Sequence, residues 1–98
     1  MTEAERKCIR DIYSYYGFDH QLDKTCEECA ELIQALLKGR CNAWGSDDVA
    51  HVQEELADVQ IMIEQMQIAF GSIEKMVRLK LDRTVQRMGN EKSGSDGV

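Results

Sequence analysis

Not one proline interrupts the chain, and aromatic side chains make up only 6% of it. With 43% hydrophobic residues, that scarcity favours long uninterrupted helices over a sandwich or barrel. A cationic surplus is also missing. The net charge of −6 excludes a general nucleic-acid binder, because neutralising phosphates needs a basic surface. It leaves room for a small anionic ligand carried with a cation. No apolar run approaches the roughly 18 residues needed to span a bilayer, and the opening MTEAERK lacks the apolar core of a signal peptide, so a cytoplasmic location is expected.

What is present fits one small helical domain. At 98 residues and 11.2 kDa the chain lies near the lower end of what buries a sufficient core unaided, and self-association follows as an expectation from size. Four cysteines without an export signal read as reduced thiols. Cys26 and Cys29 form a C-x-x-C, but helical spacing puts them on a stripe with Leu22, Ile33, Leu36 and Leu37. There cysteine packs as a small hydrophobe, and no second pair with zinc-ligand spacing exists, Cys8, Cys41, His20 and His51 being scattered.

Four helices can be drawn. Thr2 with Glu5 forms a capping box for a first helix over about 2–16, with Ala4, Cys8, Ile12 and Tyr15 or Tyr16 on one side and Gly17 as its stop. Asp19 can cap a second helix that ends at Gly39. After R-C-N-A-W-G, Ser46 can cap a third, with Asp47 and Asp48 in its first turn and an apolar stripe of Val49, Val52, Leu56, Val59, Ile63, Met66 and Phe70 before Gly71. Ser72 opens the fourth, whose Ile73, Val77, Leu81, Thr84 or Val85, and Met88 face inward until Gly89. A domain over 1–89 and a flexible polar tail over 90–98 are expected.

Two acidic clusters recur inside these segments, E27-E-C-A-E31 and E54-E-L-A-D58. On the second helix Lys24, Glu28, Glu31, Ala35 and Lys38 share a face roughly opposite the apolar stripe, and alone they read as a solvated face. The third helix changes the balance. Met62 lies one turn beyond Asp58 on the face of Glu55, with Ile61 beside it, and apolar residues next to two acids point to a second buried interface. If the two helices pack antiparallel, Glu28, Glu31, Glu55 and Asp58 can meet in one cleft. Four ionised carboxylates need a cation or shifted pKa values, and hard oxygens suit Mg²⁺, with Mn²⁺ as a substitute, better than zinc. A ferritin-like di-iron site would want two Glu-x-x-His pairs, which are not there.

The ordered pair Glu28-x-x-Glu31 and Glu55-x-x-Asp58, within E-E-C-A-E-L-I-Q-A-L-L-K and E-E-L-A-D-V-Q-I-M-I-E-Q-M, resembles the MazG-type all-alpha nucleoside triphosphate pyrophosphohydrolases over roughly residues 20 to 70. The resemblance implies an all-α, four-helix MazG-like bundle assembling as a homodimer or homotetramer. It also implies Mg²⁺-dependent cleavage of a (d)NTP to a (d)NMP and pyrophosphate, a chemistry that suits house-cleaning of the nucleotide pool. Glu28, Glu31, Glu55 and Asp58 become the metal ligands. Glu28, or Glu27 beside it, serves as general base, while Glu27 and Glu54 stand equally as exposed neighbours.

Phosphate partners are sought among Lys38 and the basic stripe Lys80, Arg83 and Arg87, which otherwise form solvated faces. Trp44, with Asn42 in the loop between the acidic helices, can stack on a base or simply anchor the loop. His51 shares the face of Glu55 and can reach substrate or remain an exposed first-turn histidine. Two other classes stay open: a non-catalytic helical interaction module, and a carboxylate-bridged metal-binding bundle.

Overall fold

The computed structural model describes the backbone of residues 1–96 and the side-chain surroundings of residues 1–92. These residues form four helices and no strand: α1 (Glu3–Tyr16), α2 (Phe18–Cys41), α3 (Ser46–Phe70) and α4 (Glu74–Asp96). None of them is long and apolar enough to cross a membrane.

Local chemistry sets the boundaries. Thr2 Oγ1 accepts from the Glu5 backbone N–H at 3.1 Å while Glu5 Oε1 accepts from the Thr2 N–H at 2.8 Å, so the expected capping box starts α1. Gly17, at φ 85°, ends α1 and leads straight into α2. That left-handed turn is open to glycine at no steric cost, and it leaves Asp19 inside α2 rather than at its cap. Ser46 is likewise inside α3. The cap is Gly45, whose N–H donates to Asp48 Oδ2 at 3.1 Å. Gly71, at φ 96°, closes α3. α4 runs on past Gly89, where the sequence pattern places its end, and of the tail expected over 90–98, residues 97–98 lie outside the described residues.

α2 and α3, of 24 and 25 residues, are joined by the short connection 42–45 and pack antiparallel as the central hairpin. Gln21 meets Gln65 at one end, and Gly39 lies under Trp44 at the other. α1 closes over one side of the hairpin and buries Ile9. Among the described residues α4 packs against none of the other three helices, and every described side chain on it is exposed.

The seam of the hairpin is not the apolar stripe expected from periodicity. Leu22, Cys26, Ile33, Leu36 and Leu37 are exposed, and Cys29 is only half-buried. The side of α2 that faces α3 carries Gln21, Glu28, Ala35 and Gly39 instead. α3 answers with Val52, Met62 and Gln65, while Val49, Leu56, Ile63 and Phe70 of its supposed core stripe are exposed. Small residues such as Ala35 and Gly39 let two helix backbones approach closely, and three helices cannot cover both sides of a long hairpin. On α1, Ile9 is the buried residue and Cys8 is exposed.

The connection 42–45 is held by its own bonds. Ala43 and Trp44 adopt left-handed φ values of 57° and 60°. The Trp44 N–H donates to the Gly39 carbonyl at 2.9 Å, and Asn42 Nδ2 donates to Asp48 Oδ1 at 3.3 Å. The Trp44 ring lies so close over Gly39 that a methyl group there would overlap it. Gly39→Ala is therefore expected to lift Trp44 off the helix and cost about 1–3 kcal/mol. Since Trp44 is the single tryptophan, a red-shifted emission maximum together with a lowered Tm checks this, and an unshifted spectrum would contradict it.

Candidate metal and nucleotide site

Because α2 turns its polar face inward, three carboxylates enter the seam. One oxygen from each of Glu28, Glu31 and Glu55 lies within 4.8 Å of the others. The side chains of Glu28 and Glu55 are only 8% and 12% exposed. Each of these two has one satisfied oxygen: Lys24 Nζ lies 3.0 Å from Glu28 Oε1, and His51 Nε2 lies 3.3 Å from Glu55 Oε1. The second oxygen of each, Oε2, is buried without a hydrogen-bond partner. Unpartnered buried carboxylate oxygens are costly unless a proton or a cation meets them.

The electrostatics lead to the same requirement. A pair of ionised carboxylates at these separations repels by roughly 3–4 kcal/mol at an effective dielectric of about 20. The charge of Glu28 foremost, then partial burial, pushes the Glu31 carboxyl above its ordinary range, with Glu55 adding to the effect. Lys24 offsets part of the charge, and its hydrogen bond to Glu28 holds it protonated beyond the usual lysine range. It cannot serve all three acids. An all-oxygen donor set with two orphaned oxygens fits a small hard divalent cation, Mg²⁺ or Mn²⁺.

Asp58, the fourth expected ligand, is exposed and outside this trio. It lines the adjoining cleft, a hollow of about 520 Å³ between α1 and the hairpin that also touches Glu27, Glu28 and Lys24. The carboxylate end of the cleft is continuous with a second end of different character. There Tyr16 stacks on His20 with ring centroids 4.7 Å apart, and Ile12, Ile61 and Met62 supply apolar walls. Gln21 and Gln65, 3% and 1% exposed, form its floor. Gln21 Nε2 donates to Gln65 Oε1 at 2.7 Å, and Gln21 Oε1 lies 2.6 Å from His20 Nδ1. The Gln65 amide nitrogen has only the Met62 thioether, at 3.5 Å, a weak acceptor.

Of the residues expected to bind substrate, His51 reaches the site through Glu55. Trp44 anchors the loop on Gly39, away from the cleft lining. Lys38 is exposed and is not among the groups lining the cleft, and Lys80 and Arg83 stand on the unpacked α4. Glu54 is exposed, whereas Glu27 faces the cleft with Lys24 Nζ 3.9 Å away. Sequence reasoning missed Tyr16, His20, Gln21, Lys24 and Gln65 as cleft residues. Spacing carried a signal for two of them, since Gln21 lies one helical heptad before Glu28 and Gln65 lies one turn beyond Ile61 and Met62.

Two outcomes follow. Millimolar Mg²⁺ or Mn²⁺ is expected to raise Tm in a thermal melt, and Glu28→Gln with Glu55→Gln to abolish that rise; an equal rise in the double variant would argue against the site. The second concerns pH in cation-free buffer. A carboxyl whose pKa is raised in the fold binds its proton more tightly there than in the unfolded chain, so it weakens stability as pH climbs above the unfolded value through the folded one. Glu31→Gln should therefore be more stable than wild type at pH 7, with the gap closing as pH falls below the ordinary glutamate range. A gap independent of pH would show that charge is not its cause.

Comparison of the chain with protein-family models, with curated proteins and with solved structures finds no match. The site accordingly stands on its own geometry: a carboxylate trio sunk in a helical seam, opening on a cleft with a polar floor and an aromatic rim.

Proposed function

We propose that the protein is a Mg²⁺-dependent nucleoside triphosphate pyrophosphohydrolase that converts a (d)NTP to a (d)NMP and pyrophosphate. The observation that carries this reading is the pair of orphaned buried oxygens on Glu28 and Glu55, set beside Glu31, in a trio that meets a cleft of about 520 Å³ through Glu28. The resemblance of E-E-C-A-E and E-E-L-A-D to the MazG-type enzymes supports the same assignment.

Glu28, Glu31 and Glu55 would hold the cation, with Asp58 within the same cleft to join them. When bound, the cation offsets phosphate charge and acidifies a water molecule. The chain's own groups do the rest. With the orphaned oxygens given to the cation, Glu27, exposed on the cleft wall, takes a proton from the attacking water. Lys24, already held protonated, neutralises phosphate oxygens. The Tyr16 and His20 rings and the apolar walls exclude water around the base, and the underused amide of Gln65 donates to its polar edge.

The cleft residues do not select among bases, so the test is a panel of standard and damaged NTPs and dNTPs. Mg²⁺-dependent pyrophosphate release is expected from at least one, falling by about 100-fold or more in Glu55→Gln. No turnover on any member with either Mg²⁺ or Mn²⁺ would sink the proposal. For the active member, Gln65→Met should raise KM by roughly tenfold and leave kcat within a few-fold, as expected for a group that binds substrate and transition state alike.

The exposed apolar side of the hairpin favours a second reading, a non-catalytic helical module. It differs in its expected signature: no cation-dependent rise in Tm and no turnover. A carboxylate-bridged iron protein would instead show an oxo-bridge absorption on loading with iron.

A further inference from the structure

The polar floor of the cleft is one chain of side chains whose hydrogen bonds all run in the same direction. His20 Nδ1 and Gln21 Oε1 are 2.6 Å apart, Gln21 Nε2 donates to Gln65 Oε1 at 2.7 Å, and Gln65 Nε2 faces the Met62 sulfur at 3.5 Å. An amide oxygen only accepts, so the proton of a neutral His20 is on Nδ1, and Nε2 is left as an acceptor. Gln65 lines the cleft, and its nitrogen, with two N–H groups, has only a thioether to meet.

The same residues can be joined the other way round. With both amides turned over, Gln65 Nε2 donates to Gln21 Oε1, and Gln21 Nε2 donates to His20 Nδ1. The imidazole proton then sits on Nε2, carried there by water around an exposed ring, and none is gained or lost. Both settings keep the two short bonds. The reversed one gives up only the contact with sulfur, a weak acceptor.

A mixed setting is excluded by burial. It would press two oxygens or two N–H groups together between side chains that are 3% and 1% exposed, where an unmade hydrogen bond is costly. The three residues therefore reverse as a unit, and whatever Gln65 meets in the cleft decides which form His20 takes.

We infer that Gln65 reads the exocyclic group of a planar heterocyclic base in either sense, and that Gln21 passes that sense to His20. A carbonyl at Gln65 holds the Nδ1–H form, whereas an amino group brings the Nε2–H form. One floor thus serves bases of opposite polarity, which a fixed amide would refuse by leaving a buried donor or acceptor unpaired. The inference rests on the cleft taking a nucleotide base, as proposed above, and not on its hydrolysis.

Uridine monophosphate and cytidine monophosphate test it, being alike in size and differing in a carbonyl where the other has an amino group. Long-range proton–nitrogen correlation spectra at about pH 8.5, above the ordinary imidazole range, separate the two tautomers, and His20 is one of only 2 histidines. The free chain and the chain saturated with the uridine nucleotide should show Nδ1–H at His20. Millimolar cytidine nucleotide should convert it to Nε2–H, with the two affinities within about tenfold of each other. Gln21→Met cuts the relay, so His20 should there keep one form with both nucleotides.

An Nε2–H form in the free chain, one form with both nucleotides, or binding of neither overturns the inference, as does a His20 that still follows the base in Gln21→Met. The wild-type spectra decide it even where that variant fails to fold. Pyrophosphate release by a chain whose His20 never changes form would remove the relay and leave the enzyme assignment standing. A responsive His20 without turnover on any nucleotide would do the reverse.

Discussion

Like charge brought into a helix seam is the constraint on which the rest of this molecule turns. α2 could have offered α3 its apolar stripe, and instead offers Gln21, Glu28 and Ala35. The seam therefore contains groups that water would solvate better than protein, and it closes only because small residues permit close approach and Lys24 and His51 each satisfy one oxygen. Everything else is placed by that choice of face. The cleft opens where the acids emerge, and the apolar stripes of both helices are turned out to the far side.

Such a seam is a poor core. Replacing ionised groups by hydrophobes of similar size is often neutral or stabilising, so buried acids are weak evidence for a structural role. Two oxygens of the trio lack a partner, and one carboxyl is pushed toward its neutral form by a neighbour's charge. A perturbed acid beside a cleft marks a candidate functional site.

Much of this was legible in the sequence, and the limits have physical causes. Helix count and the capping box at Thr2 follow from local chemistry, which neighbours in sequence decide. Met62 and Ile61 beside Glu55 and Asp58 pointed to a second buried interface, and the structure bears this out in part: Met62 is 5% exposed and Glu55 half-buried, while Ile61 and Asp58 are exposed along the cleft. The identity of the core did not follow. Periodicity shows that Leu22, Ile33 and Leu37 share a face, but not whether a helix of the same chain covers it, and among the described residues none does. Asp58 shows the same limit on a finer scale: a spacing of three residues aligns it with Glu55 within about one turn, yet leaves it on the rim rather than in the trio. Gln21 and Gln65 were hidden because their pairing joins residues far apart in the chain, and an isolated glutamine carries no signal of burial.

The short link between α2 and α3 has a consequence for how the hairpin forms. Ala35 and Val52 are the buried residues nearer the link and Gln21 and Gln65 those farthest from it, so pairing that starts at the link would reach the glutamines last, as local contacts favour. The carboxylate trio stands partway along that zipper, so the growing hairpin must pass an uphill step of like charge before its last turns can join. A divalent ion would lower that step as well as the finished state. If the trio takes the proposed cation, the speed at which the fold completes itself would follow the ion content of its surroundings.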